Sequence, residues 1–324
     1  MRAYRLEADG KMSRGRLVQM SPDALSAGDT LIRTQYAGVN YKDALAGQGK
    51  APIATSLPIN GGIEAVGHVV ESTSDLLEPG QAVIAHGMGL GVARDGGLAG
   101  YVRGDAEWIV PVPKGLSQLE AATVGVAGFS AAMAVDRLES LGVEPDRGPV
   151  AVTGATGGVG VQAVAMLARL GYEVVAVSSK SDAGEELRAL GASEVIAPPE
   201  ASNRMIEPPR WSGAIDTVGG DLLAWLLRSA APEAAIASIG NAGGNRVPTS
   251  VMPFILRGVT LTGIVGNAPP PLRRRIWDRI GTDLRPPRVS SIARVIDPEE
   301  IHDTMGEMIS GRTRGRSIVA FCGG

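Results

Sequence analysis

The segment Val150-Ala-Val-Thr-Gly154-Ala-Thr-Gly157-Gly-Val-Gly160 constrains this chain more than any other. Its first residues read as a buried strand, its glycines as a turn, and Val161, Val164 and Leu167 continue it at helical spacing. A strand that passes through a tight glycine turn directly into a helix is the opening of a parallel crossover unit. Glycine in the turn admits positive φ. Glycine at the helix start lets backbone N–H groups approach an anion, and the helix N-terminus adds partial positive charge there. Gly154, Thr156, Gly157, Gly158, Val159 and Gly160 are therefore expected to hold the pyrophosphate of a dinucleotide. The competing reading, a turn that only packs tightly, explains the glycines but not the order of strand, turn and helix.

The next strand, Glu173-Val-Val-Ala-Val177, runs into Ser178-Ser179-Lys180. A site for NAD places an acid here against the ribose 2′-hydroxyl. This chain offers two hydroxyls and an ammonium instead, which suit a 2′-phosphate dianion and predict NADPH. A solvated polar loop is the alternative. Further strands are expected over 214–217, 234–239 and 260–264, alternating with helices from Val124 onward in the manner of a doubly wound parallel sheet.

Before that point the texture differs. Short β-type runs over 30–34, 68–72 and 82–85, separated by Gly, Pro and Asp clusters, describe an all-β module. After the proline run 269–271 come a helix over 272–284, a second near 298–310 and a closing strand over 317–321 that returns to this module. The 324 residues thus suit two domains, one of them discontinuous: 1–122 with 286–324, and 123–285. With 31 basic and 34 acidic residues no global field favours nucleic acid or an anionic membrane. One cysteine, Cys322, excludes an internal disulfide and a multi-thiolate zinc site. The charged N-terminus reads as a strand, and no apolar run approaches the roughly 20 residues that cross a bilayer, so a cytoplasmic protein is expected.

Several separated segments, in order, carry a resemblance: Asn40-Tyr-Lys-Asp-Ala-Leu45, Asp95-Gly-Gly-Leu-Ala99, Ala127-Gly-Phe129, the glycine turn, Gly213-Ala-Ile-Asp-Thr-Val-Gly-Gly220 and Val251-Met-Pro-Phe-Ile-Leu-Arg-Gly258. Through them nearly the whole chain resembles the zinc-free quinone-oxidoreductase branch of the medium-chain dehydrogenase/reductases, nearest the acrylyl-CoA reductase type. The resemblance implies a GroES-like β-barrel domain and a Rossmann domain, an active site in the cleft between them, and a homodimer built through the Rossmann domain. Zinc-dependent relatives use a Cys ligand and a Gly-His-Glu segment, whereas this chain has Gly62-Ile63-Glu64. No metal is expected, because few thiol and imidazole donors remain. Without a Lewis acid, hydride delivery to the β-carbon of an enoyl thioester or enone is favoured over alcohol oxidation.

In that reaction negative charge moves onto the carbonyl oxygen, which needs a donor. Asn40, Tyr41 and Asp43 bring an amide, a phenol and a carboxylate into four residues that line the cleft in the family. Tyr41 is the first candidate for donor and for nicotinamide contact, since a phenol donates a hydrogen bond without first being charged. A satisfied cleft tyrosine, and for Asp43 helix capping or an ion pair, are the alternatives. Gly240 and Asn241, after the fifth strand, are expected beside the nicotinamide; an ordinary strand-exit turn is the other reading. Arg273, Arg274, Arg275 and Arg279 could hold the phosphates of a CoA ester, although charge runs on helices are more often solvated. His86 is placed near the cleft, while His68, His302, Glu64, Asp216 and Trp108 read as structural. The substrate stays open between a short enoyl-CoA such as acryloyl-CoA and a quinone or free enone. A cofactor-binding signalling protein and a zinc alcohol dehydrogenase are readings of other classes.

Overall fold

A computed structural model describes residues 1–200 and 202–321. They divide into two compact units: Met1–Val126 with Asn267–Gly281 and Val289–Gly324, and Ala127–Gly266 with Thr282–Arg288.

The first unit is built mainly from antiparallel strands. They are β1 (Arg2–Asp9), β2 (Met12–Gln19), β3 (Thr30–Val39), β4 (Ile59–Asn60), β5 (Glu64–Ser72), β6 (Ala82–His86), β7 (Tyr101–Gly104) and β8 (Val110–Pro111). One helix, α1 (Tyr41–Gly47), follows β3, and the N-terminal part of α2 (Gln118–Ser140) closes the segment. Strands β2-β1-β4 form a small sheet. Strand β3 lies inside the larger one, pairing β5 and β7. Ile32, with Arg33 exposed beside it, and Val69, between exposed His68 and Val70, point inward, where they meet Val83, Leu90, Trp108 and Ile109. Each fully buried Val, Leu or Ile here stabilises the fold by about 1.5–3 kcal/mol. Trp108 is thus the core residue its sequence context suggested.

The second unit is a six-stranded parallel sheet. Its strands β9 (Val150–Thr153), β10 (Val174–Val177), β11 (Glu194–Ile196), β12 (Trp211–Asp216), β13 (Ala230–Ser238) and β14 (Thr260–Gly263) run in the order β11-β10-β9-β12-β13-β14. The helices are α3 (Gly158–Arg169), α4 (Gly184–Ala189), α5 (Gly220–Arg228) and α6 (Met252–Arg257). Every residue of β9, β10 and β12 is buried, which is why these strands read as apolar runs. Trp211 and Trp225 meet edge to face, 5.2 Å apart, in a cluster with Leu226 and Ile236. A doubly wound sheet in one unit and a β module in the other make up the expected α/β architecture.

After β14 the chain returns to the first unit through α7 (Pro270–Gly281), and later through β15 (Ala293–Ile296), α8 (Ile301–Ile309) and β16 (Arg316–Ala320). Strand β16 pairs antiparallel with β3. Residues 267–281 therefore differ from the expected division, which kept them with the sheet. The reason is packing on β6: Trp277 Nε1 donates to His86 Nε2 (2.9 Å), and Arg273 Nη1 donates to the His86 carbonyl (2.8 Å).

Helix α2 corrects another expectation. By length and composition it is apolar enough to cross a membrane, with 67% of its apolar window buried inside the protein, as in a core helix. It is broken at Gly125 (φ 50°, ψ −156°).

Candidate functional site

In the first unit the site begins where β3 hands over to α1. Asn40 is the extended residue that caps the helix, and its side chain is fully engaged. Its Nδ2 donates to Glu64 Oε1 (2.9 Å) and Gly38 O (3.2 Å), and its Oδ1 accepts from Arg316 Nη1 (2.8 Å). Asp43, 3% exposed, turns back on the helix start: Oδ2 accepts from Asn40 N (2.9 Å) and Oδ1 from Ile63 N (3.0 Å). Burial pushes its carboxyl up to about 7, opposed by the Asn40 and Ile63 hydrogen bonds and reinforced by the nearby Glu64 charge. For Asp43 capping is the role seen, and Asn40 is a member of a buried network. Tyr41, the first residue of α1, is half-buried, and its phenol makes no hydrogen bond among the described residues. Of the three, Tyr41 alone keeps an uncommitted polar end.

The network continues to a residue that sequence reasoning missed. Arg316 and Glu64, 3% and 1% exposed, form an ion pair directly beneath Asn40. They also fill the break in α2: Arg316 Nε donates to Thr123 O (3.2 Å) at the end of the first half, and Glu64 Oε2 accepts from Val126 N at the start of the second. A Cβ on Gly38 or Gly125 would collide with both side chains. Glu64 is structural, as read; a charged residue opening an otherwise apolar closing strand was the one available sign of Arg316.

The remaining donors do not gather. His86 is fully buried between Arg273 and Trp277. Burial first, and the Arg273 charge second, hold its pKa well below the usual imidazole value. Gln118 Nε2 lies 2.7 Å from His68 Nε2, and Tyr4 Oη 2.7 Å from His302 Nδ1. Among the described residues no three His, Cys, Asp or Glu side chains are grouped to hold a metal, and Cys322 lies outside them. Ile63 has no donor side chain and Glu64 is committed to Arg316, so the described residues do not fit a zinc ion. Arg273 is likewise withdrawn: it is fully buried and cannot reach a CoA phosphate, whereas Arg274 and Arg275 are exposed.

In the second unit the glycine turn has the expected form. Gly154 takes φ +59°, and a Cβ there would strike Thr217 Oγ1. Gly157 N donates to Gly154 O (2.9 Å), and a Cβ on Gly160 would meet that same carbonyl. Thr156 is buried, Gly158 and Val159 are half-buried, and no side chain caps the start of α3. An uncapped twelve-residue helix entered through glycines is a ready anion site. The turn and the uncapped helix start fit a dinucleotide pyrophosphate, because the glycines let the turn close tightly on itself and leave the first backbone N–H groups of α3 without a side-chain cap.

Ser178, Ser179 and Lys180 follow β10 directly. Ser178 is buried and accepts from Lys180 N (3.1 Å), Ser179 is exposed and Lys180 half-buried. Gly240 packs on the neighbouring turn, where a Cβ would strike Thr217 O, and Asn241 is exposed. Thr153 and Thr217, which bind these turns together, were not singled out from the sequence.

Two family models match the chain: a zinc-binding dehydrogenase domain over residues 158–280 and an alcohol dehydrogenase GroES-like domain over residues 26–114. YhfP of Bacillus subtilis (strain 168), whose name places it provisionally among quinone oxidoreductases, is 42% identical over 305 residues, covering 93% of this chain and 92% of its own. The acrylyl-CoA reductase AcuI of Ruegeria pomeroyi is 37% identical over 317 residues, covering 97% and 96%. Among solved structures, E. coli K-12 YhdH with bound NADPH superposes with a TM-score of 0.95 at 39% identity, covering 98% of this chain and 99% of that one. YhfP with NAD bound gives 0.94 at 40%, covering 99% of each.

Proposed function

The chain belongs to the medium-chain dehydrogenase/reductase family, and from that premise we propose that it is an NADPH-dependent reductase of activated carbon–carbon double bonds. Acryloyl-CoA or a similar short enoyl thioester is the substrate, reduced at its β-carbon without zinc. The observation that carries this reading is the pair of turns in the second unit. The glycine turn and the uncapped start of α3 suit a pyrophosphate, and Ser178-Ser179-Lys180 offers two hydroxyls and an ammonium, with no carboxylate, to a ribose 2′-phosphate.

When bound, NADPH would supply the hydride to the β-carbon and leave as NADP+, and the α-carbon of the resulting enolate would take a proton from solvent. The chain's own part is to hold the coenzyme and to stabilise the charge that moves onto the substrate's carbonyl oxygen. Tyr41 donates to that oxygen through its uncommitted phenol, a neutral donor that strengthens as the enolate forms. Asn40 and Asp43 serve by fixing the first turn of α1 from which Tyr41 projects. The thioester reading is supported by the likeness to AcuI over nearly the whole chain. A quinone or free enone is the second reading, favoured by the higher identity to YhfP. Comparing kcat/KM for acryloyl-CoA, crotonyl-CoA, a simple quinone and a free enone, each followed by NADPH oxidation, decides between them. A quinone preferred over both thioesters would reverse the order.

The working form is a homodimer in the cytoplasm. Strand β14 is an unpaired edge of the sheet, and Leu261 on it, with Val251, Ile255, Leu256 and Val265 beside it, is 40–70% exposed. An exposed apolar edge of this kind is suited to pairing with its own copy about a two-fold axis. Sedimentation equilibrium at twice the chain's mass supports this, and at one mass refutes it.

A further inference from the structure

The turns after β9, β12 and β13 lie side by side at the carboxyl ends of the parallel strands, and one buried acid joins them. Asp216, the last residue of β12, is fully buried. Its Oδ1 accepts from Thr153 Oγ1 (2.6 Å), at the end of β9 and immediately before Gly154, and from Val218 N (3.2 Å); its Oδ2 accepts from Gly219 N (2.9 Å). Thr217 returns the link: its N donates to Thr153 Oγ1 (3.1 Å) and its Oγ1 to Thr153 O (2.8 Å). On the other side Ile239 N donates to Asp216 O and Gly243 N to Val218 O, both at 2.8 Å. Glycine at 219 and 240 lets the turns after β12 and β13 touch backbone to backbone, and glycine at 154 leaves room for the Thr217 and Val218 side chains.

Asp216 thus ties the residues just ahead of α5 to the residue from which the glycine turn springs: its carboxylate binds Val218 N, Gly219 N and the Thr153 hydroxyl. Neither α5 nor α3 has a side-chain cap, and the first-turn N–H groups of α3, entered through the glycine turn, can receive an anion.

We propose that Asp216 is a positioning residue for the coenzyme: by binding the two amides just ahead of α5 and holding Thr153, it sets the glycine turn in its anion-binding shape before the coenzyme arrives. Burial raises the Asp216 carboxyl's pKa, and the hydrogen bonds from Thr153, Val218 and Gly219 oppose that rise and favour the ionised form. The proposal rests on the coenzyme reading above and extends it to a residue that touches no ligand.

The test is calorimetric titration of NADPH into the wild type, Asp216→Asn, Thr153→Val, the double variant and Thr153→Ser, with melting of each unliganded protein alongside. We expect Kd to rise about tenfold in each of the first two, equivalent to about 1.4 kcal/mol. The double variant should be little weaker than the weaker single, as for two ends of one contact, and Thr153→Ser, which keeps the hydroxyl, should stay within about twofold of the wild type. The acceptor KM should not move. Should Asp216→Asn not fold, Thr153→Val carries the comparison. Thr153→Val binding as tightly as the wild type overturns the latch alone; a wild type that binds no NADPH overturns the coenzyme reading beneath it as well.

Discussion

Glu64 and Arg316 meet as a buried ion pair at the break in α2, and each satisfies one side of it, the arginine the last carbonyls of the first half and the carboxylate the first amide of the second. An ion pair out of water is a weak source of net stability, but removing one partner strands the other charge. Glu64→Ala and Arg316→Ala should therefore each destabilise the protein by about 3–5 kcal/mol. The double variant should fall well short of the sum. Urea unfolding of the three variants measures this, and additive losses would show that the two charges act separately.

Asp43 gives stability a pH dependence of defined sign. Its carboxyl is raised to about 7 in the fold from the ordinary 3.8 of the unfolded chain. Between these values the unfolded chain has lost the proton that the folded one keeps. This group's contribution therefore falls as pH rises, by at most about 1.4 kcal/mol per pH unit, and is lost above the folded value. Asp43→Asn, which also gives up one of two accepted backbone hydrogen bonds, should be less stable at pH 5 yet flatter from pH 5 to 7. Parallel denaturation curves for the two proteins across that range would remove Asp43 from the explanation.

Tyr41→Phe isolates the phenol. If its uncommitted hydroxyl donates to the developing anion, kcat should fall about 10²-fold while the KM for NADPH holds. A change confined to the NADPH KM would make Tyr41 a coenzyme contact instead.

Lys180→Ala tests how the coenzyme is chosen. If its ammonium meets the ribose 2′-phosphate as proposed, losing it should lower the ratio of NADPH to NADH efficiency about tenfold or more. An unchanged ratio would return Ser178-Ser179-Lys180 to the status of a solvated loop.

What could be read in advance follows from how local each signal is. Val150–Thr153 and Val174–Val177 were legible because a strand buried in a parallel sheet must be apolar throughout, and a turn needing positive φ must show its glycine. Tyr41 was legible only through the company of Asn40 and Asp43, and chemistry at that spacing is ambiguous: the same carboxylate that can serve as a base also caps a helix, which is what Asp43 does. Glu64 and Arg316 are 252 positions apart, and nothing local marks them as partners. Arg273 misled for the opposite reason, since a run of three arginines on a helix looks solvated or ligand-facing until tertiary packing turns one of them onto His86.

The most direct measurement is the fate of the hydride. Chelator-treated protein, given acryloyl-CoA and NADPH deuterated at the transferring position, should oxidise the coenzyme and release propionyl-CoA carrying deuterium on the β-carbon. Deuterium found elsewhere, no oxidation of NADPH, or turnover that disappears on chelation and returns with zinc would contradict a metal-free reduction of the activated double bond.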